Sequence, residues 1–79
     1  MNFTVCYFGL LAERRGLAEE RVISSAATPA ALYTELDAAH GLGCVRSDLR
    51  AAVDDGFVPW EHPLAGGETV AFLPPLSGG

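Results

Sequence analysis

Hydrophobic and polar positions along this 79-residue chain change period several times, and each change marks an element. Residues 3 to 8, "FTVCYF", set Phe3, Val5 and Tyr7 on one side and Thr4, Cys6 and Phe8 on the other, the period of a β-strand that is apolar on both faces. After Gly9, "LLAERR" is rich in helix formers and predicts a short turn of helix ending at Gly16. "ERVISS", residues 20 to 25, brings β-branched Val22 and Ile23 and predicts a second strand, paired hairpin-like with the first.

Thr28 followed by Pro29 is a helix start: the hydroxyl caps free N–H groups and proline is tolerated in the first turn. Leu32, Leu36 and Ala39 then recur at helical spacing, which predicts one apolar face, with Glu35 and Asp37 on the exposed side, His40 at the surface near the C-terminal end and Gly41 as the stop. "LRAAV", residues 49 to 53, and the residues after Asp55-Gly56 predict two short strands around a tight turn. Pro59 and Pro63 exclude "PWEHP" from a central strand. A last strand follows Gly66-Gly67, with Val70 and Phe72 facing one way and Ala71 and Leu73 the other.

The order strand, short helix, strand, long helix and three strands is that of an α+β domain, a mixed sheet of four to five strands with one main helix on one face. The other sheet face is then left open, and Phe8, Leu73 and Phe57 are expected to point out of it as an apolar partner surface.

A chain this short buries only about 60–65 % of its unfolded surface, enough for one core, so residues 1 to 79 are read as one domain. Hydrophobic residues at 49 % and charged residues at 19 % exclude a disordered chain. With 5 Lys+Arg against 10 Asp+Glu the formal charge is −5, and Arg14, Arg15, Arg21, Arg46 and Arg50 form no basic run. Neither nucleic acid nor an anionic membrane is expected as a partner, whereas a protein with a basic surface suits the charge. Cys6, Cys44, His40 and His62 stand at no metal-ligand spacing. A single disulfide in a secreted domain stays open, but the N-terminal residues lack a basic segment followed by an apolar run, and no stretch approaches the roughly 20 apolar residues of a membrane span. The expected compartment is therefore cytoplasmic, with both thiols reduced.

No catalytic constellation stands out. The serines lack a local base, "GLG" lacks the rest of a dinucleotide loop, and Asp54-Asp55 before Gly56 are ordinary turn residues. The tail carries the chemistry. Pro74 and Pro75 end β pairing beyond Leu73, and Leu76, Ser77, Gly78 and Gly79 form an expected extended, flexible arm over residues 74 to 79. Lacking Cβ atoms, Gly78 and Gly79 suit a narrow channel, and Leu76 to Gly79 spans about 13 Å when extended. A terminal carboxylate is a poor electrophile until it is adenylated by ATP, after which a sulfur nucleophile displaces AMP.

"GETVAFLPPLSGG" resembles the C-terminus of the small subunits of molybdopterin synthase, ubiquitin-like sulfur carriers of the β-grasp fold, and "VCYFGLLAERRG", "TPAALYTEL" and "LRAAVDDGFV…HPLAGGE" extend the resemblance over almost the whole chain. Asp54, where the family often has Asn, and Trp60 are departures that leave the tail untouched. The resemblance implies that a ubiquitin-activating-like adenylyltransferase uses ATP to adenylate Gly79, and that a persulfide donor converts it to a thiocarboxylate. The tail then enters the molybdopterin synthase large subunit and gives sulfur to cyclic pyranopterin monophosphate, forming the dithiolene of molybdopterin. Gly79 is the carrier group, Gly78 its flexible neighbour, and Pro74, Pro75, Leu76 and Ser77 the guide in the channel; Phe8, Phe57 and Leu73 match the family's hydrophobic interface positions. The carrier itself holds no stable cofactor, and the acids and bases of catalysis belong to the large subunit. Beside this stand a carrier for another sulfur pathway (thiamine or tRNA thiolation), a protein-conjugating tag, and a β-grasp interaction module with an inert tail.

Overall fold

The computed structural model describes residues 1 to 74. Strand β1 (Asn2–Tyr7) alternates as expected, burying Phe3, Val5 and Tyr7. Helix α1 (Leu10–Arg15) closes at Gly16, whose left-handed φ of 85° and N–H to the Ala12 carbonyl end the turn. Strand β2 (Glu19–Ile23) returns antiparallel to β1, Cys6 opposite Glu19 and Asn2 opposite Ile23. Helix α2 (Pro29–His40) starts where Thr28 Oγ1 accepts the Ala31 N–H at 3.1 Å and stops at left-handed Gly41. A 3₁₀ turn over Arg46–Asp48 leads to β3 (Arg50–Val53), β4 (Gly56–Val58) and β5 (Thr69–Leu73).

The sheet order is β2-β1-β5-β3-β4. The central pair β1 and β5 is parallel, and the other neighbours are antiparallel, which makes the sheet mixed. Phe3, Val5, Tyr7, Val70 and Phe72 form one buried cluster with Leu32, Tyr33 and Leu36 of α2, with Leu11 of α1 and with Leu42, Leu49 and Leu64 from the connections. Tyr33 meets the Phe72 ring edge-on at 5.3 Å, and Trp60 stacks on Phe72 at 5.9 Å with the planes 11° apart.

Three expectations shift. The buried face of α2 runs through Leu32, Tyr33 and Leu36, while Ala39 is exposed. Tyr33 is able to enter the core because its hydroxyl donates to the Cys44 carbonyl at 2.6 Å, so no polar atom is stranded. The tight turn is centred on Asp54 and Asp55, with φ of 48° and 73°, and Gly56 opens β4 opposite Val53. Both turn residues occupy the left-handed region that a two-residue hairpin with its native twist requires, and Asp54 is pinned there by exchanging bonds with Thr69: its N–H donates to the Thr69 carbonyl at 2.9 Å, and its Oδ1 accepts the Thr69 N–H at 3.0 Å. Finally, Ser24 lies beyond β2, buried, its hydroxyl donating to Glu35 and accepting the Ala26 N–H. Glu35, on the solvent side of α2, thus ties that helix to the end of β2.

Candidate functional site

Among the described residues, none forms a second layer on the side of the sheet opposite α2. Alternation along the strands sends Thr4 and Cys6 of β1, Ala71 and Leu73 of β5, Ala52 of β3 and Phe57 of β4 to this face, the register setting Cys6 beside Ala71 and Ala52 beside both Ala71 and Phe57. Small residues in the middle strands and large ones around them leave a depression of about 200 Å³ lined by Cys6, Phe8, Ala52, Asp55, Phe57, Thr69, Ala71 and Leu73. Phe8 and Phe57 are 46 % and 60 % exposed, while Leu73 is half-buried between them. The structure therefore gathers the three apolar residues singled out in the sequence, Phe8, Phe57 and Leu73, around one concave apolar surface.

Among the described residues that line the depression, none is an activated nucleophile. Burial, and then the neighbouring Glu19 carboxylate, push the Cys6 thiol above its ordinary pKa, so it stays neutral. Its Sγ donates weakly to Glu19 at 3.7 Å. Among the described residues no three His, Cys, Asp or Glu side chains come together as a metal site, and Cys6 and Cys44 are free thiols. Among the same residues no helix is long and apolar enough to cross a membrane.

The sheet that carries this face is held by polar anchors elsewhere in the fold. Tyr7 hydroxyl donates to Glu20 Oε2 at 2.6 Å, and Arg15 grips the same carboxylate with Nε at 2.9 Å and Nη2 at 2.7 Å, which fixes α1 against β1 and β2. The Arg15 guanidinium holds the Glu20 carboxyl below its usual range, and burial, followed by the bond to Glu20, drives the Tyr7 hydroxyl well above its own. Glu68 accepts the N–H groups of Ala65 and Gly66 at 2.7 and 2.6 Å, shaping the turn that feeds β5.

Where β5 ends, Pro74 passes over Gly9. A Cβ on Gly9 would lie 3.1 Å from the Pro74 ring, a tight contact, and its φ of 56° is left-handed, so the backbone conformation and the crossing both favour glycine here. Pro74 itself lines a separate shallow depression with Leu10, Val45 and Leu49, next to the one that Leu73 borders. Pro75, Leu76, Ser77, Gly78 and Gly79 lie outside the described residues. Two contributors escaped the sequence reading: Gly9, read only as a boundary before α1, and Arg50, which is exposed on β3 with its guanidinium carbon 4.3 Å from the centre of the Phe57 ring.

A five-stranded mixed sheet, one long helix across one face and a bare apolar opposite face define a ubiquitin-like β-grasp protein. The chain belongs to the ThiS family, which it matches over residues 5–79. Over 31 residues it is 52 % identical to the molybdopterin synthase sulfur carrier subunit of Escherichia coli (strain K12), a stretch that covers 39 % of this chain and 38 % of that protein. Among solved structures, SAMP1 from Haloferax volcanii is similar with a TM-score of 0.80 at 24 % identity, covering 100 % of both chains. The complex of subunits 1 and 2 of the molybdopterin-converting factor from Helicobacter pylori 26695 contains a chain similar with a TM-score of 0.69 at 24 % identity, again covering 100 % of both. At these identities the structural likeness is one of fold.

Proposed function

We propose that this chain is the sulfur carrier subunit of a molybdopterin synthase, working through the carboxylate of Gly79. The observation that carries the reading is the family match running through residue 79, on a chain whose apolar open face includes Leu73, the last residue of β5 before the terminal segment. The 31-residue match to a carrier subunit of molybdopterin synthase supports the choice of pathway.

In the proposed cycle the Gly79 carboxylate attacks the α-phosphorus of ATP on a ubiquitin-activating-like adenylyltransferase and releases pyrophosphate. A persulfide sulfur then displaces AMP from the acyl carbon, and a thiol reduces the resulting acyl disulfide to leave the thiocarboxylate. The loaded carrier docks on the large subunit through Phe8, Phe57 and Leu73. Residues 74 to 78 feed Gly79 into the large subunit's site, where sulfur passes to cyclic pyranopterin monophosphate and water cleaves the bond between that sulfur and the acyl carbon, regenerating the carboxylate. In this reading the carrier supplies the sulfur and the docking face, and the acids and bases of the transfer belong to the partner. ATP is consumed by the activating enzyme, and the cycle is assigned to the cytoplasm.

Intact-mass measurement of the protein purified from its own cells tests the reading. It predicts a fraction heavier by the difference between one sulfur and one oxygen atom, with the change confined to the C-terminal peptide, and copurification of the large subunit. Protein found only joined through Gly79 to lysines of other proteins would replace the reading with a conjugating tag.

A further inference from the structure

We infer that Arg50 reads the partner on the docking face, and that the large subunit presents a carboxylate opposite it; the inference rests on the function proposed above. Arg50 opens β3 directly opposite Leu73 of β5, and its guanidinium lies over the Phe57 ring at 4.3 Å. A positive charge therefore stands between two of the three apolar residues of the contact surface. Among the described residues it has no carboxylate partner and no hydrogen bond. The ion pairs there are Arg15 with Glu20 and Arg46 with Glu61, and Arg14 is spent on the Leu42 carbonyl. Arg21 also faces this side, opposite Thr4, but on edge strand β2, whereas Arg50 lines the groove next to the apolar depression and shares Phe57 with it. In a chain of net charge −5, with Asp55 lining the depression but not in an ion pair with Arg50, a guanidinium left unpaired among the described residues runs against the prevailing charge.

Covering Phe57 and Leu73 with an apolar partner strips water from the cation between them. An ion desolvated without a counterion is costly, whereas a carboxylate meeting the planar guanidinium through two parallel hydrogen bonds restores the loss and fixes orientation. The Phe57 ring already holds the guanidinium in place, which reduces the ordering cost on binding. A partner with an apolar patch but no acid at this point is thereby rejected, so the residue confers choice among docking proteins as well as affinity.

The test is the affinity of the wild type, Arg50→Met and Arg50→Lys for the large subunit from the same organism, each at low and high salt. The expected result is a loss of at least about tenfold for Arg50→Met, a smaller loss for Arg50→Lys, and a salt dependence that is clear in the wild type and weak in Arg50→Met. Arg50 is exposed, so urea midpoints of all three proteins should agree. Wild-type binding with Arg50→Met equal or tighter overturns this inference and leaves the proposed function standing. Failure of the wild type itself to bind overturns both.

Discussion

Leu73→Glu separates docking from folding, because Leu73 is the last residue of β5 and its side chain points to the open face, away from the core. In the free protein it is only partly buried, so the substitution removes only part of a leucine's burial, about 1 kcal/mol. Its direct cross-strand neighbour is Arg50, and the new carboxylate opposite that guanidinium returns about 0.2–1 kcal/mol. Net stability should therefore move by less than about 1 kcal/mol. Docking behaves differently. The remaining leucine surface would have been covered by the partner, worth about another 1 kcal/mol, and a carboxylate placed in that contact adds a desolvation cost of several kcal/mol that Arg50 offsets only in part. A total near 3 kcal/mol corresponds to about a hundredfold weaker complex. Isothermal titration against the large subunit, with urea unfolding as the control, reads both quantities. A variant that binds within about threefold of the wild type while folding normally would show that the partner does not cover Leu73, and the assignment of the open face as the docking surface would fail.

Two further substitutions test the body that presents this face. Phe72→Ala, one residue back and fully buried between Tyr33 and Trp60, should cost about 3–5 kcal/mol of the roughly 4–12 kcal/mol expected for a domain of this size; a loss below about 1 kcal/mol in urea unfolding would refute the core described here. Glu20→Gln should destabilise the protein at neutral pH, and the gap to the wild type should close in acid. The folded-state pKa of Glu20 is lowered from its ordinary 4.5, so its contribution is complete above that value and is lost as the pH falls through the lower folded-state value. Urea midpoints across this range check the sign, and a gap that widens in acid would contradict it.

Local rules carried most of the architecture. The two-residue period of Phe3, Val5 and Tyr7 and the Thr28-Pro29 start with its Gly41 stop are written in neighbouring residues, and the structure places β1 and α2 accordingly. What was not legible depends on contacts distant in sequence. Asp55-Gly56 is the stronger turn signal, yet the turn sits one residue earlier because Asp54 is held by Thr69, fifteen residues away. Helical spacing alone does not choose between Tyr33 and Ala39 for the core. That choice is made by the Cys44 carbonyl, which satisfies the tyrosine hydroxyl, and by Phe72, which meets its ring. Trp60, in a segment marked by prolines as a loop, folds under the sheet onto Phe72.

The site divides in the same way. Phe8, Phe57 and Leu73 were readable as outward residues because strand alternation fixes their side once the core side is known. The Gly9 and Pro74 crossing was not readable, since it joins the two ends of the chain through the parallel pairing of β1 with β5. Nor was the placing of Arg50 over Phe57, which follows from the β3–β4 register.

The central claim, an acyl end at Gly79 that is activated and loaded with sulfur, is tested most directly by reconstitution. The purified chain is incubated with its adenylyltransferase, ATP and a persulfide donor, beside a variant lacking Gly79, and both are read by intact mass. The account predicts that the full chain gains the mass of one oxygen-to-sulfur exchange and that the shortened chain gains none. A full chain that stays unchanged, while the same enzyme and donor load another carrier, would contradict it.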